Sequence, residues 1–290
     1  MSEESKKRDV AMSVEPSLNL RVANANTWGR KAIAAFLPHV PLPSSAMRVI
    51  TLVHIAIAIG FWMMIPESTF PGPVSIVDAI GKLWTENALG RELIVSLTLN
   101  FQMILILIPI GILTVIARSL SVTKGIVTVF GNFRFLSTAG ITLILTYYTS
   151  GAHSLKLSIL VVFVGAFCIA GWARMVDAVP QAERDYMRTM GMSEWQAMYE
   201  TDLRGRASEM LEILRQNQAM GWMMLTAVEG IARSEGGVGT LLLNSQRTWN
   251  LDEVYAIQIL LWIVGLLIDF GFVKARKIFP WAGLREGGKK

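Results

Sequence analysis

PQAERDYMRTMGMSEWQAMYETDL, residues 180–203, is the stretch that decides the fold. It is rich in charge, yet apolar runs flank it at 155–173 and 216–232. Pro180 suits a first helical turn, where its missing N–H would have no partner anyway. Gly191 stands where a helix from Ala182 to Met190 needs a residue able to turn left-handed. Ser193-Glu194-Trp195-Gln196 reads as a capping box, with the Ser193 hydroxyl accepting from the Gln196 N–H and the Gln196 side chain reaching back. A second helix therefore starts at Ser193 and is expected to run to Leu203, with Gly205 letting it end. Trp195, Met198 and Tyr199 share one face of it. In water such a stripe is a liability, whereas on a partner it is an anchor, because Trp and Tyr dominate interface hot spots. The competing reading is that the stripe packs on the protein's own helices.

The apolar flanks are part of a wider pattern. The 290 residues are 52% hydrophobic and 17% charged, with mean hydropathy +0.45; a soluble domain carries about 25% charged residues. About 18 consecutive apolar residues suffice to propose a membrane span. Six stretches qualify as candidates: 47–65, 93–117, 132–149, 155–173, 216–232 and 254–273. Arg134 weakens the third; the fifth is short and carries Glu229. The fold class is thus an all-α integral membrane protein of about six transmembrane helices, with lipid as its surroundings. A segment over 1–46, with an interfacial helix at 28–40, leads into a transmembrane domain over 47–273. The hairpin region, 174–215, belongs to that domain, and a basic tail occupies 274–290.

Positive charge in short loops faces the cytoplasm. With both termini inside, 21 Lys and Arg fall on the inner side and five on the outer, Lys82, Arg91, Lys156, Arg233 and Arg247. The pI near 9.4 then reflects topology, and a nucleic-acid partner is not implied. The expected arrangement has no cleavable leader, since the first forty-odd residues are polar. A single cysteine, Cys168, excludes an intramolecular disulfide and a Cys-cluster metal site. His39, His54 and His153 are scattered, which argues against a histidine metal cluster. No G-x-x-x-x-G-K-[ST] is present, so the chain is expected to hold no nucleotide by a P-loop. Polar residues inside spans are functional candidates by default. His54, Asn100, Gln102 and Glu229 could line a polar path, or could bond to neighbouring helices; Asp269 reads as a structural pair.

The motifs, taken in order, bear a resemblance. Asp185-Tyr186-Met187-Arg188-Thr189-Met190-Gly191 and the helix after it resemble the cytoplasmic loop of inner-membrane permease subunits of binding-protein-dependent ABC importers. Phe70-Pro71-Gly72-Pro73, Ser96-Leu97, Phe133-Arg134-Phe135, Glu229 with Gly236-Gly237-Val238-Gly239, Gly265 with Asp269, and Pro280-Trp281 are similar to segments of the nitrate/sulfonate/taurine branch. The loop departs from the pattern in having Tyr186 and Met187 for its alanines and Leu203-Arg204 where the family has proline. The resemblance implies a type I ABC importer permease-like fold in a bacterial inner membrane, both termini cytoplasmic. It implies a hairpin that docks on a separate ATPase through Asp185, Gly191, Ser193, Glu194, Trp195, Met198 and Tyr199. ATP and Mg would belong to that ATPase, no cofactor to this chain, and the chain would be a transport subunit rather than an enzyme. Further implied partners are a second permease copy or a similar permease, and an extracytoplasmic binding protein that delivers a small, anionic solute. The alternative is an integral membrane enzyme or a non-transporting sensor subunit, which should show His, Asp or Glu clustered at one membrane depth.

Overall fold

The computed structural model describes residues 44–66 and 70–276. The expected interfacial helix at 28–40, His39, Pro280-Trp281 and most of the basic tail lie outside the described residues. The chain divides into two units, Met1–Gly72 and Pro73–Lys290.

In the first unit, α1 (Ser44–Met64) is an apolar helix of 21 residues with none of its most apolar window buried. His54 bonds through Nδ1 to the Ile50 carbonyl one turn back, 2.7 Å away. The histidine is therefore satisfied within its own helix, not between helices as expected. At the helix end the Trp62 indole donates to the Pro71 carbonyl at 3.0 Å and meets Phe70 edge-on. The proline-rich segment cannot continue the helix, and these contacts fold it back.

The second unit is all helical among the described residues. Its elements are α2 (Pro73–Glu86), α3 (Leu89–Ser119), α4 (Lys124–Asn132), α5 (Thr138–Tyr148), α6 (Ala152–Asp177), α7 (Gln181–Thr189), α8 (Glu194–Met198), α9 (Ala207–Ile231), α10 (Val238–Arg247) and α11 (Leu251–Arg276). The core forms where α3, α6 and α9 meet. Glycines set how closely they approach. A Cβ on Gly171 would come within 2.6 Å of Ile213, one on Gly221 within 2.9 Å of Val164, and one on Gly111 within 3.0 Å of Trp172. The indoles find acceptors across the same seams: Trp172 donates to the Met210 carbonyl, Trp222 to the Leu261 carbonyl.

These contacts fix directions. Near their starts, α3 and α6 both reach one loop, Glu92 accepting from the Gly237 N–H and Lys156 donating to the Gly236 carbonyl. At their ends they are joined by Arg118 and Asp177, 2.6 Å apart. So α3 and α6 are parallel. The chain between them must return from one end of the bundle to the other, and α4 with α5 makes that return. α9 runs against both, pairing Gln218 with Asn100 and Glu229 with Ser96. α11 runs against α9, with Asp269 on Arg215.

α1, α3, α6 and α11 are long and apolar enough to cross a membrane. The third expected span, 132–149, is not one helix. α4 and α5 are bent by 112° about the short turn of Phe133-Arg134-Phe135. Leu136 and Ser137 are extended there, and the Arg134 guanidinium lies over the Phe135 ring, 4.8 Å from its centre. The fifth expected span falls within α9, a continuous 25-residue helix. Glu212, Arg215, Gln216, Asn217 and Gln218 hold it below the apolar threshold, although it runs the length of the bundle. Lys156, counted from the sequence among the outer charges, lies near the start of α6 and is 1% exposed.

Candidate functional site: the helical hairpin and the glycine latch

The hairpin forms as local chemistry dictates. After α7 the backbone turns left-handed at Gly191 (φ 80°), and nothing lies within 4 Å of the position a Cβ would take. The Gly191 N–H bonds to the Arg188 carbonyl and the Met192 N–H to the Met187 carbonyl. Those two bonds are the Schellman pattern, which satisfies carbonyls at a helix end. Both arms of the expected capping box are present: the Ser193 N–H donates to Gln196 Oε1 at 2.9 Å, and the Gln196 N–H to Ser193 Oγ at 3.4 Å. The second helix does reach 204, but as five α-helical residues followed by a π-helical turn, Tyr199–Arg204.

Arg188 braces the two arms. Its guanidinium holds Asp185 at 2.6 Å and Glu194 through both carboxylate oxygens at 2.8 and 2.9 Å. The hydrogen bond from Arg188 holds the Glu194 carboxyl below the usual glutamate range. Trp195 is 60% and Tyr199 55% exposed, while Met198 is half-buried. Trp195 and Tyr199 flank a shallow groove with Gly191, Met192, Gln196 and Glu200. On their other sides Tyr199 borders a pocket with Ile108, Ile112 and Trp172, and Trp195 one with Ser119 and Leu120, so each ring is partly against the chain's own helices and partly exposed.

At the other end of the bundle, two motifs far apart in sequence meet. Glu229, at the end of α9, is fully buried. Its Oε1 accepts from Ser96 Oγ at 2.6 Å and its Oε2 from the Gly239 N–H at 2.7 Å. Ser96 Oγ in turn accepts from the Val238 N–H at 2.9 Å, and Glu92 accepts from the Gly237 N–H. The three free N–H groups that open α10 are therefore all met by side chains. Lys156 Nζ donates to the Gly236 carbonyl at 2.8 Å. The loop needs its glycines, because Gly236 and Gly237 have φ of 72° and 111°, and a Cβ would run into Glu92 or Glu229 respectively. A Cβ on Gly239 would meet the Thr226 backbone.

The other polar span candidates separate. Asn100 and Gln218 are both buried; the Gln218 amide donates to Asn100 Oδ1 at 3.2 Å, while Asn100 Nδ2 has no partner among the described residues. Gln102 bonds to His153 Nε2 at 2.8 Å near the latch. His54 lies in the first unit. Within the second unit, Asn100, Gln102 and Glu229 thus each have a different partner. Asp269 pairs with Arg215, which also holds Glu212. Glu92 and Asp202 escaped the sequence reading, and Lys156 entered it only as an outer charge. Lys156 could have been found as an ionisable residue beside an apolar run; nothing local marks Glu92 or Asp202.

An all-helical bundle whose long apolar helices run end to end is a multi-pass membrane protein. No family model matches the chain. It is similar to a putative ABC transporter permease protein of Methanocaldococcus jannaschii, 25% identical over 146 residues, covering 49% of this chain and 54% of that one. It is also similar to the taurine transport system permease protein of Escherichia coli, 27% identical over 221 residues, 74% of this chain and 76% of that one. The match spans about half the length of the first relative and about three quarters of the second. Both of these similar proteins are described as transport permeases, one of them for taurine.

Proposed function

We propose that the chain is the membrane-spanning permease subunit of an ATP-driven importer, and that the 181–204 hairpin is its docking element for a separate ATPase. The observation that carries this reading is the hairpin itself. Two helix-end motifs and a three-way ion pair hold it in one shape, with Trp195 and Tyr199 left uncovered. A rigid polar hairpin with an uncovered aromatic pair suits a groove on a soluble partner, since preorganised anchors lose little entropy on binding. In this reading ATP and Mg are bound by the ATPase, and its cycle moves the hairpin and switches the pathway. A second permease copy or a similar chain completes the pathway, and a binding protein delivers solute from outside. Both termini face the cytoplasm of a bacterial inner membrane. The taurine relative makes a small anionic sulfonate the first solute to test.

The test is co-purification. The chain expressed with an ATPase subunit encoded beside it should bring that subunit down and show ATP turnover, while the chain alone should show none. Trp195→Ala should insert in the membrane normally and lose the subunit, because truncating an interface anchor commonly costs about 2 kcal/mol or more. Full assembly by Trp195→Ala would refute the hairpin as the docking element.

A further inference from the structure

Asp202 is 1% exposed, the most deeply buried acid of the hairpin region. Its Oδ2 accepts from Ser119 Oγ at 2.9 Å, at the end of α3, and from Arg184 Nη2 at 3.2 Å, on α7. Its Oδ1 accepts from Thr201 Oγ1 at 2.8 Å and from Arg184 again at 3.3 Å. The same Arg184 nitrogen lies 3.3 Å from the Val176 carbonyl, at the end of α6. One carboxylate and one guanidinium therefore tie both arms of the hairpin to the ends of two long helices. Next to them Arg118 bridges α3 to α6 through Asp177 and reaches Thr128 of α4 at 2.9 Å.

The backbone is shaped to put the carboxylate there. Residues 199–204 widen into a π-helical turn, closed by the Gly205 N–H on the Glu200 carbonyl at 2.9 Å. A Cβ on Gly205 would lie 2.8 Å from that carbonyl oxygen, so the widened turn needs glycine after it. π-helical turns are rare and concentrate at functional positions. A buried carboxylate is tolerated only while paired, and removing one partner leaves an uncompensated charge.

We infer that Asp202 is a positioning residue that makes the 181–204 hairpin and the C-terminal end of α3 one rigid body, so that a push on the hairpin is delivered to α3. The purpose assigned to this lock rests on the function proposed above; the lock itself does not.

Spin labels on cysteines placed at Val122, in the α3–α4 turn, and Thr189, at the end of α7, read it directly. Both positions are exposed, whereas Cys168 is buried. In the full chain in lipid discs the label distance should be single and narrow. Asp202→Asn, which keeps the shape and removes the charge, should lose that single distance. Arg184→Ala should disturb it more, because it strands the carboxylate. Arg184→Ala with Asp202→Asn should disturb it less than Arg184→Ala alone, a rescue that simple loss of packing would not give. An unchanged distance in Asp202→Asn, or added damage in the double variant, overturns the lock. In complex with the ATPase, Asp202→Asn should keep the subunit and ATP turnover but lose transport per ATP severalfold; unaltered transport per ATP overturns delivery to α3. Failure of the unsubstituted chain to bind any ATPase would sink the proposed function, while the label distances would still decide the lock.

Discussion

At the α10 end, carboxylates are buried against backbone: Glu229 and Glu92 accept from the N–H groups of Gly239 and Gly237, in spaces where no Cβ fits. At the tip of the hairpin, beyond the buried Asp202, Asp185 and Glu194 reach into solvent for a single arginine. The first arrangement gives a fixed joint, since removing a buried group leaves its partners unsatisfied. The second gives a surface that holds its shape yet can be gripped and moved, because exposed ion pairs are individually weak. Acidic residues therefore hold the latch and the hairpin tip in different ways.

The sharpest way to break this comparison is at the latch. Glu229→Ala should cost about 3 kcal/mol, the low end for breaking a buried charged network. Ser96 Oγ and the Gly239 N–H lose their acceptor together. Thermal unfolding of the chain in detergent measures this, and an unchanged midpoint would show that the loop is held by something else. Gly191→Val comes next. There is room for the side chain but not for its backbone conformation, so strain of at least ~1 kcal/mol should appear locally. Hydrogen exchange should quicken at Met192 and Ser193 while the long helices are unaffected; quickening throughout α6 and α9 would contradict strain confined to the turn. Ser193→Ala removes one arm of the capping box and should cost about 1 kcal/mol, read by the same exchange.

The smallest effect is that of acid. Glu194 titrates below its ordinary value because Arg188 bonds its charged form. A depressed carboxyl contributes its stabilisation above the unfolded pKa of about 4.3 and loses it as pH falls through the lower folded value. The fluorescence anisotropy of Trp195 should therefore hold steady from neutral pH to near 5 and fall below 4, with Arg188→Gln abolishing the transition. A loss of anisotropy centred near pH 7 would assign the change to another group.

The hairpin was legible because its signals are local. A glycine at a helix end and a Ser-x-x-Gln box act over three or four residues, and both closed as read. The aromatic stripe falls on one face as its spacing predicts, with Trp195 and Tyr199 more than half exposed among the described residues. The latch was only half legible. Ser96-Leu97 and Glu229 with its glycines were singled out as separate motifs, but Ser96 and Glu229 are 133 positions apart, and no spacing rule joins them. The burial of Lys156 was missed because at the start of a helix a buried lysine and an exposed one look alike. The break in the third expected span was hinted at by Arg134, but its cause is the extended backbone at Leu136 and Ser137, two residues with no strong bias of their own. The π-helical turn could not be read at all, since Tyr199-Glu200-Thr201-Asp202 is compatible with an ordinary helix.

The directions of the helices carry one more consequence, and it is a matter of parity. Between Leu89 and Arg276 the chain travels the length of the bundle five times, once each in α3, the α4–α5 pair, α6, α9 and α11. Five is odd, so Leu89 and Arg276 stand at opposite ends. A protein with both termini on one side needs one more crossing, and α1, with 21 apolar-rich residues, has the length for it. Counted this way, α1 is a sign change. Deleting residues 44–64 should leave the five-pass unit foldable but put reporters fused at residues 1 and 290 on opposite faces; reporters that stay together would mean that the bundle itself had inverted or lost a pass.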